Sequence, residues 1–242
     1  MSSAPGPVHY GHSSTPTRNP FRYLLAIWRL VRDPADTGEA AIVELGFARS
    51  RLGRRFARWE EVADVLRRDP RTAAALQRRR PCDPIDVAAL GRMPEGSLGR
   101  VFADHCRARD LDPNLVYIAP DTEVDWMLHH LYLTHDVWHV VTGWGNDEIG
   151  EYGLGAFYTA QLGGPTFFGF LFSLAALSTV LRRRSYRDFM EAIVAGYAAG
   201  KCAEPLFGTE WPELWKTPIT DVRARFGIAP ERTTGEGIRA AA

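Results

Sequence analysis

The chain has 242 residues, enough to bury one sizeable core, and its 29 basic and 29 acidic side chains cancel to a formal charge of zero. Nothing in that balance steers it toward nucleic acid. Its three cysteines, Cys82, Cys106 and Cys202, are isolated and lack CxxC spacing, which argues against a disulfide scaffold and against a cysteine-rich zinc site.

In chain order the pattern is helical throughout. Residues 1–18, rich in Ser, Pro and Gly and without an apolar run, predict a disordered leader, not a signal peptide. Pro20 opens a helix through Phe21, Leu24, Trp28 and Val31, and Asp36 or Thr37 caps another through Ala41, Ile42, Leu45 and Phe47. Helices are predicted over 59–68 and 70–77, then a basic, solvated run from Arg78 to Arg80 and a short helix over 87–90. Ser97 starts a helix over 98–109, in which His105 reads as a scaffold residue.

Asp121 or Thr122 caps the central helix, 123–142, with Glu123 and Asp125 in its positive first turn. On that helix His135 and His139 lie about 40° apart, and Asp136 about 100° from His135. Two imidazoles and a carboxylate sharing a face that points inward are costly to bury uncompensated, and a divalent cation is the simplest compensation. The rival is a cluster of satisfied core histidines. His129 lies beside Asp136 and is a candidate to support the cluster from behind; His130 points away.

Gly143, Gly145 and Gly150 should break the helix, and Asn146 or Asp147 can cap a second one. If that second helix packs back antiparallel on the first, Glu151 returns to the His135, Asp136 and His139 face. The expected site is therefore two nitrogens and two carboxylates between two helices. Such a set suits Zn(II) foremost, if four-coordinate, with Fe(II), Co(II) or Mn(II) as rivals.

Residues 152–181 hold no charged side chain in a chain that is 24% charged. Gly163-Gly-Pro165 interrupts the stretch and leaves too few apolar residues to span a bilayer. The expectation is a hydrophobic helix that serves either as core or as a lipid-facing wall, with Arg182 to Arg184 beside it for anionic headgroups. Ser185 caps a last long helix, and Trp211, Trp215 and Phe226 pin a tail to the body. Residues 231–242 read as disordered. No phosphate-binding glycine loop, nucleophile elbow or internal repeat occurs.

His135-Asp136-x-x-His139, eleven residues and then Glu151 resembles the HDxxH-x11-E signature of the fourth ubiquinone (coenzyme Q) biosynthesis protein family. The flanking Pro94-Glu-Gly-Ser-Leu-Gly99-Arg, Trp211-Pro-Glu-Leu-Trp215-Lys-Thr-Pro218 and Val222-Arg-Ala-Arg-Phe-Gly227-Ile are similar to it as well, so the likeness covers about 20–230. It implies one all-α domain over 19–230 that binds a metal through His135, Asp136, His139 and Glu151, which also carry any catalysis. It further implies oxidative decarboxylation at ring C1 of a polyprenylated benzoquinone precursor. The alternative is a non-catalytic, lipid-binding scaffold for other ubiquinone biosynthesis enzymes.

Implied partners are the prenylated precursor or another isoprenoid lipid, a membrane surface, the pathway enzymes and a second copy as homodimer, with no nucleic acid. The arginine bias, with Lys201 and Lys216 the only lysines, fits a GC-rich bacterium, and the expected place is the cytoplasm at the periphery of the inner membrane. An HD-type phosphohydrolase is a weaker fit, because His129 is too close in sequence to be the usual upstream ligand and His139 would be unexplained.

Overall fold

The computed structural model describes residues 59–114, 120–163 and 186–229. The leader, the two helices expected before residue 59, the second half of the uncharged stretch with Arg182 to Arg184, Ser185 and the C-terminal tail lie outside the described residues.

Five of the described helices begin where a side chain satisfies free N–H groups. Helix α1 (Trp59–Leu66) buries Trp59, Val62, Ala63 and Leu66, a three-four spacing that leaves its acids outside. Helix α2 (Pro70–Arg78) starts on proline, and the Asp69 carboxylate accepts from the Arg71 and Thr72 N–H groups. Helix α3 (Val87–Leu90) is one turn capped by Asp86. Helix α4 (Leu98–Arg109) is capped by the Ser97 hydroxyl, and helix α5 (Glu123–Thr142) by that of Thr122. Helix α6 (Glu148–Leu162) is capped by Asp147, whose carboxylate accepts from the Gly150 N–H at 2.7 Å. Helix α7 (Tyr186–Cys202), a 3₁₀ turn (Trp211–Leu214) and helix α8 (Ile219–Arg225) complete an all-α domain.

Helix α5 is the axis. It is buried on nearly all sides, as a central rod must be. Gly143 ends it in the left-handed region, at φ 81°. From there the chain returns along α6, and contacts pair in reverse order, His139 with Glu151 and His135 with Tyr158, so the two helices are antiparallel.

Helix α7 closes on α6 very tightly: a Cβ at Gly196 would fall 2.0 Å from the Gly153 carbonyl oxygen. The end of that pair is sewn by Gln161, whose Nε2 donates to the Gly200 carbonyl at 2.9 Å and whose Oε1 accepts from the Leu206 N–H at 3.0 Å.

The tail is fixed as the tryptophans imply. Trp211 and Phe226 are buried and lie ring to ring at 5.8 Å, while Trp215 meets Phe102 of α4 at 5.6 Å. Backbone bonds from Leu98 to Thr217 and from Gly99 to Trp215 clamp the tail to the start of α4. Arg223 of α8 donates to the Val140 and Val141 carbonyls, which gives the C-terminal end of α5 the cation its dipole favours. Among the described residues no helix is long and apolar enough to cross a membrane.

Candidate metal centre

The turn between α5 and α6 brings Glu151 against His135 and His139, while Asp136 groups with the two histidines and no contact joins it to Glu151 among the described residues. His135 Nε2 and His139 Nε2 are 3.1 Å apart. Glu151 Oε1 lies 3.1 Å from His139 Nε2, and Glu151 Oε2 lies 3.6 Å from His135 Nε2. Asp136 offers a carboxylate oxygen, and one ligand atom from each of His135, Asp136 and His139 lies within 4.8 Å of the others. Four donors held tetrahedrally at about 2.0–2.1 Å from one ion would sit about 3.3 Å from each other. The three distances among His135, His139 and Glu151, two of them to different oxygens of Glu151, fall on either side of that edge length, so these side chains are close enough to share one ion.

Protonation points the same way. His139 Nδ1 is 2.9 Å from the Trp144 carbonyl oxygen, an atom that can only accept. Nδ1 therefore carries a hydrogen, and Nε2 faces His135 and Glu151. His139 is fully buried and fixed by backbone, so its Nε2 has one direction to face. Burial alone would raise the Glu151 carboxyl, but the charge of His139, hydrogen bonds from His135 and His139, and the charge of His135 outweigh it. Its pKa falls well below the usual carboxylate range, and it stays an anion. Two imidazole Nε2 atoms and a carboxylate converging on one partly buried point form a donor set that fits a divalent ion, which would take the place of the protons between them.

The corner that builds this geometry tolerates no side chain at Gly150. A Cβ there would lie 1.9 Å from the Gly145 carbonyl oxygen. The chain doubles back over itself at that residue, and this tightness returns Glu151 to α5.

Two residues at the centre were not singled out from sequence. Tyr158 is buried on α6, with its ring stacked on Trp138 at 4.3 Å and its hydroxyl 3.4 Å from His135 Nδ1. Its pKa is raised well above the ordinary phenol value by burial, then by the charges of Glu151 and Asp136, so it remains a neutral phenol. The signal was its spacing: Tyr158 follows Glu151 by two helical turns, seven residues, and shares its face.

The other is His105, read from sequence as scaffold. Its ring lies near-parallel to that of His139 at 6.4 Å, its Nδ1 is 3.2 Å from the Arg109 guanidinium, and its Nε2 is buried without a partner. Burial, then Arg109 and His139, push its pKa down to about 4.

The candidate supporting residue His129 turns elsewhere. Its Nε2 accepts from the Cys82 N–H at 3.0 Å, so this bond ties the loop before α3 to α5. His130 likewise accepts from the Gly208 N–H at 2.9 Å.

The model of the family described as coenzyme Q (ubiquinone) biosynthesis protein Coq4 matches residues 40–232. The chain belongs to the Coq4 family. Among relatives, a mitochondrial ubiquinone biosynthesis protein COQ4 homolog of Rattus norvegicus is 28% identical over 175 residues, covering 69% of this chain and 64% of that protein. The mitochondrial COQ4 protein of Coprinopsis cinerea is 26% identical over 150 residues, covering 60% of this chain and 50% of its own length. The chain thus spans less than two thirds of these two relatives. In three dimensions it is similar to a Nostoc punctiforme protein assigned to ubiquinone biosynthesis, whose crystal structure superposes with a TM-score of 0.71 at 25% identity, covering 87% of this chain and 98% of that one.

Proposed function

We propose that this Coq4-family chain acts in ubiquinone biosynthesis as a metal-dependent protein on a polyprenylated benzoquinone precursor, replacing the carboxyl at ring C1 by hydroxyl. The observation that carries the reading is the convergence of His135 Nε2, His139 Nε2 and both Glu151 oxygens within 3.1 to 3.6 Å on a partly buried face.

His135, Asp136, His139 and Glu151 would hold the ion, zinc foremost, with Fe(II), Co(II) or Mn(II) as rivals. When bound, the ion supplies Lewis acidity toward a phenolate or carboxylate oxygen of the ring. The protein contributes the rest. Trp144 fixes the His139 ring, and Tyr158, itself stacked on Trp138, backs His135. The overall change turns a ring carboxylic acid, dioxygen and water into a ring hydroxyl, carbon dioxide and hydrogen peroxide. That two-electron balance makes O₂ the oxidant, because zinc keeps its valence.

The uncharged 152–181 run is proposed to meet the isoprenoid tail, and the protein to work at the periphery of a bacterial inner membrane beside other enzymes of the pathway. The test is a deletion host. It should accumulate the carboxylated, prenylated ring, and the wild-type chain should clear it. A host that makes normal quinone without the chain would refute the proposal. Glu151→Gln separates the scaffold alternative: lost quinone with intact partner assembly marks catalysis, and retained quinone marks a scaffold.

A further inference from the structure

The two histidines of the centre are anchored differently. His139 hangs from a backbone carbonyl, that of Trp144, at 2.9 Å, which no side-chain substitution removes. His135 has a side chain behind it: with Nε2 facing His139 and Glu151, its Nδ1 faces the Tyr158 hydroxyl at 3.4 Å. An imidazole that ligates through Nε2 must carry its hydrogen on Nδ1, and that N–H needs an acceptor to fix the ring's tautomer and tilt. Tyr158 is positioned to be that acceptor, and it is itself immobilised. Its ring is buried and stacked on Trp138 at 4.3 Å, with 18° between the planes. The His135 and Tyr158 rings lie 7° from parallel with centroids 6.0 Å apart, and the closest polar approach is the phenol oxygen to Nδ1.

The placement has a helical logic. His135 and His139 are four apart on α5, and Glu151 and Tyr158 seven apart on α6, each pair on one face. Helix α6 therefore meets α5 twice: Glu151 at the ligating edge of both imidazoles, and Tyr158 at the far edge of one of them.

We propose that Tyr158 is a positioning residue of the centre, its phenol oxygen accepting from His135 Nδ1–H and holding that imidazole in the ligating tautomer. The inference rests on the metal-binding reading above, and its test distinguishes the two. Zn(II) is titrated into the metal-free full chain, wild type, Tyr158→Phe and Tyr152→Phe. Tyr152 is the control: it lies on the same helix, but its hydroxyl donates to Glu148 at 2.8 Å.

Tyr158→Phe keeps the aromatic ring against Trp138 and should weaken Zn(II) binding about 10- to 100-fold, the usual cost of removing a partner behind a ligating histidine. Tyr152→Phe should stay within about twofold of wild type. A second readout does not depend on affinity. In ¹⁵N-imidazole spectra of the zinc-loaded chain, the His135 Nδ1–H should be protected from exchange in wild type and exchange-broadened in Tyr158→Phe. A Tyr158→Phe variant that binds zinc as tightly as wild type, with its His135 Nδ1–H still protected, overturns this inference alone. A wild-type chain that takes up no divalent ion overturns the metal-binding reading and this inference with it.

Discussion

Helix α5 carries two pairs of histidines, His129 with His130 and His135 with His139, and their imidazoles face different partners. His129 and His130 spend their Nε2 lone pairs on backbone amides, those of Cys82 and Gly208. With Nε2 accepting, His130 carries its hydrogen on Nδ1, 3.3 Å from Cys82 Sγ. This pair is mortar: it joins two loops to the axis, and His130 also lies ring to ring with Trp126 and Phe207. His135 and His139 turn their Nε2 atoms toward each other and toward a carboxylate. What separates a structural histidine from a ligand here is the partner of the lone pair, because burial is shared by His129, His130 and His139 alike.

The comparison breaks most visibly on His139→Ala. Elemental analysis of the purified variant should show the divalent ion lost, with affinity down at least about 100-fold, while His130→Ala purified beside it keeps its metal. Equal metal in both would erase the distinction. The next effect is on stability. His130→Ala leaves the Gly208 N–H unpaired and opens a cavity against Phe207, so chemical denaturation should show a loss of about 3 kcal/mol. A loss under about 1 kcal/mol would mean that this pair is not mortar.

Gly150→Ala tests the corner that assembles the ligating pair only. Its Cβ, 1.9 Å from the Gly145 oxygen, must push the backbone apart, at a cost of about 2 kcal/mol in stability and with zinc affinity reduced. Wild-type zinc affinity in Gly150→Ala would show that Glu151 reaches α5 without the tight turn.

The smallest effect is pH dependence in the metal-free chain. Burial, then His129, push the pKa of folded His130 down to about 3, whereas the unfolded chain keeps the ordinary value of 6.5. Between those values the unfolded state binds more protons, so stability falls as pH falls, and above 6.5 the contribution is complete and flat. From pH 7 to 5.5 this amounts to about 1 kcal/mol, and His130→Gln should flatten that slope in urea midpoints. Glu151, whose folded pKa is depressed, acts in the same sense at lower pH. A chain that gains stability on acidification from pH 7 to 5.5 would contradict the His130 assignment.

Much of this was legible in the sequence because helices announce their own ends. Ser97, Thr122 and Asp147 cap where the pattern required, and Gly143 stops α5. The four expected site residues share helical faces, so spacing alone could bring them near one another once the glycine corner turned the chain. Contacts between distant segments were not legible. Nothing local in Cys82 or Gly208 marks them as partners of His129 and His130, and His105 reaches His139 from another helix. Tyr158 sits in an apolar run where a tyrosine reads as core, and only the seven-residue step from Glu151 hinted otherwise.

The most direct test of the centre is X-ray absorption on the chain loaded with one equivalent of zinc. The account predicts a nitrogen and oxygen shell at about 2.0–2.1 Å with the multiple-scattering signature of two imidazoles, reduced to one in His135→Ala. A sulfur shell at about 2.3 Å, or an imidazole signature unchanged by that substitution, would contradict it.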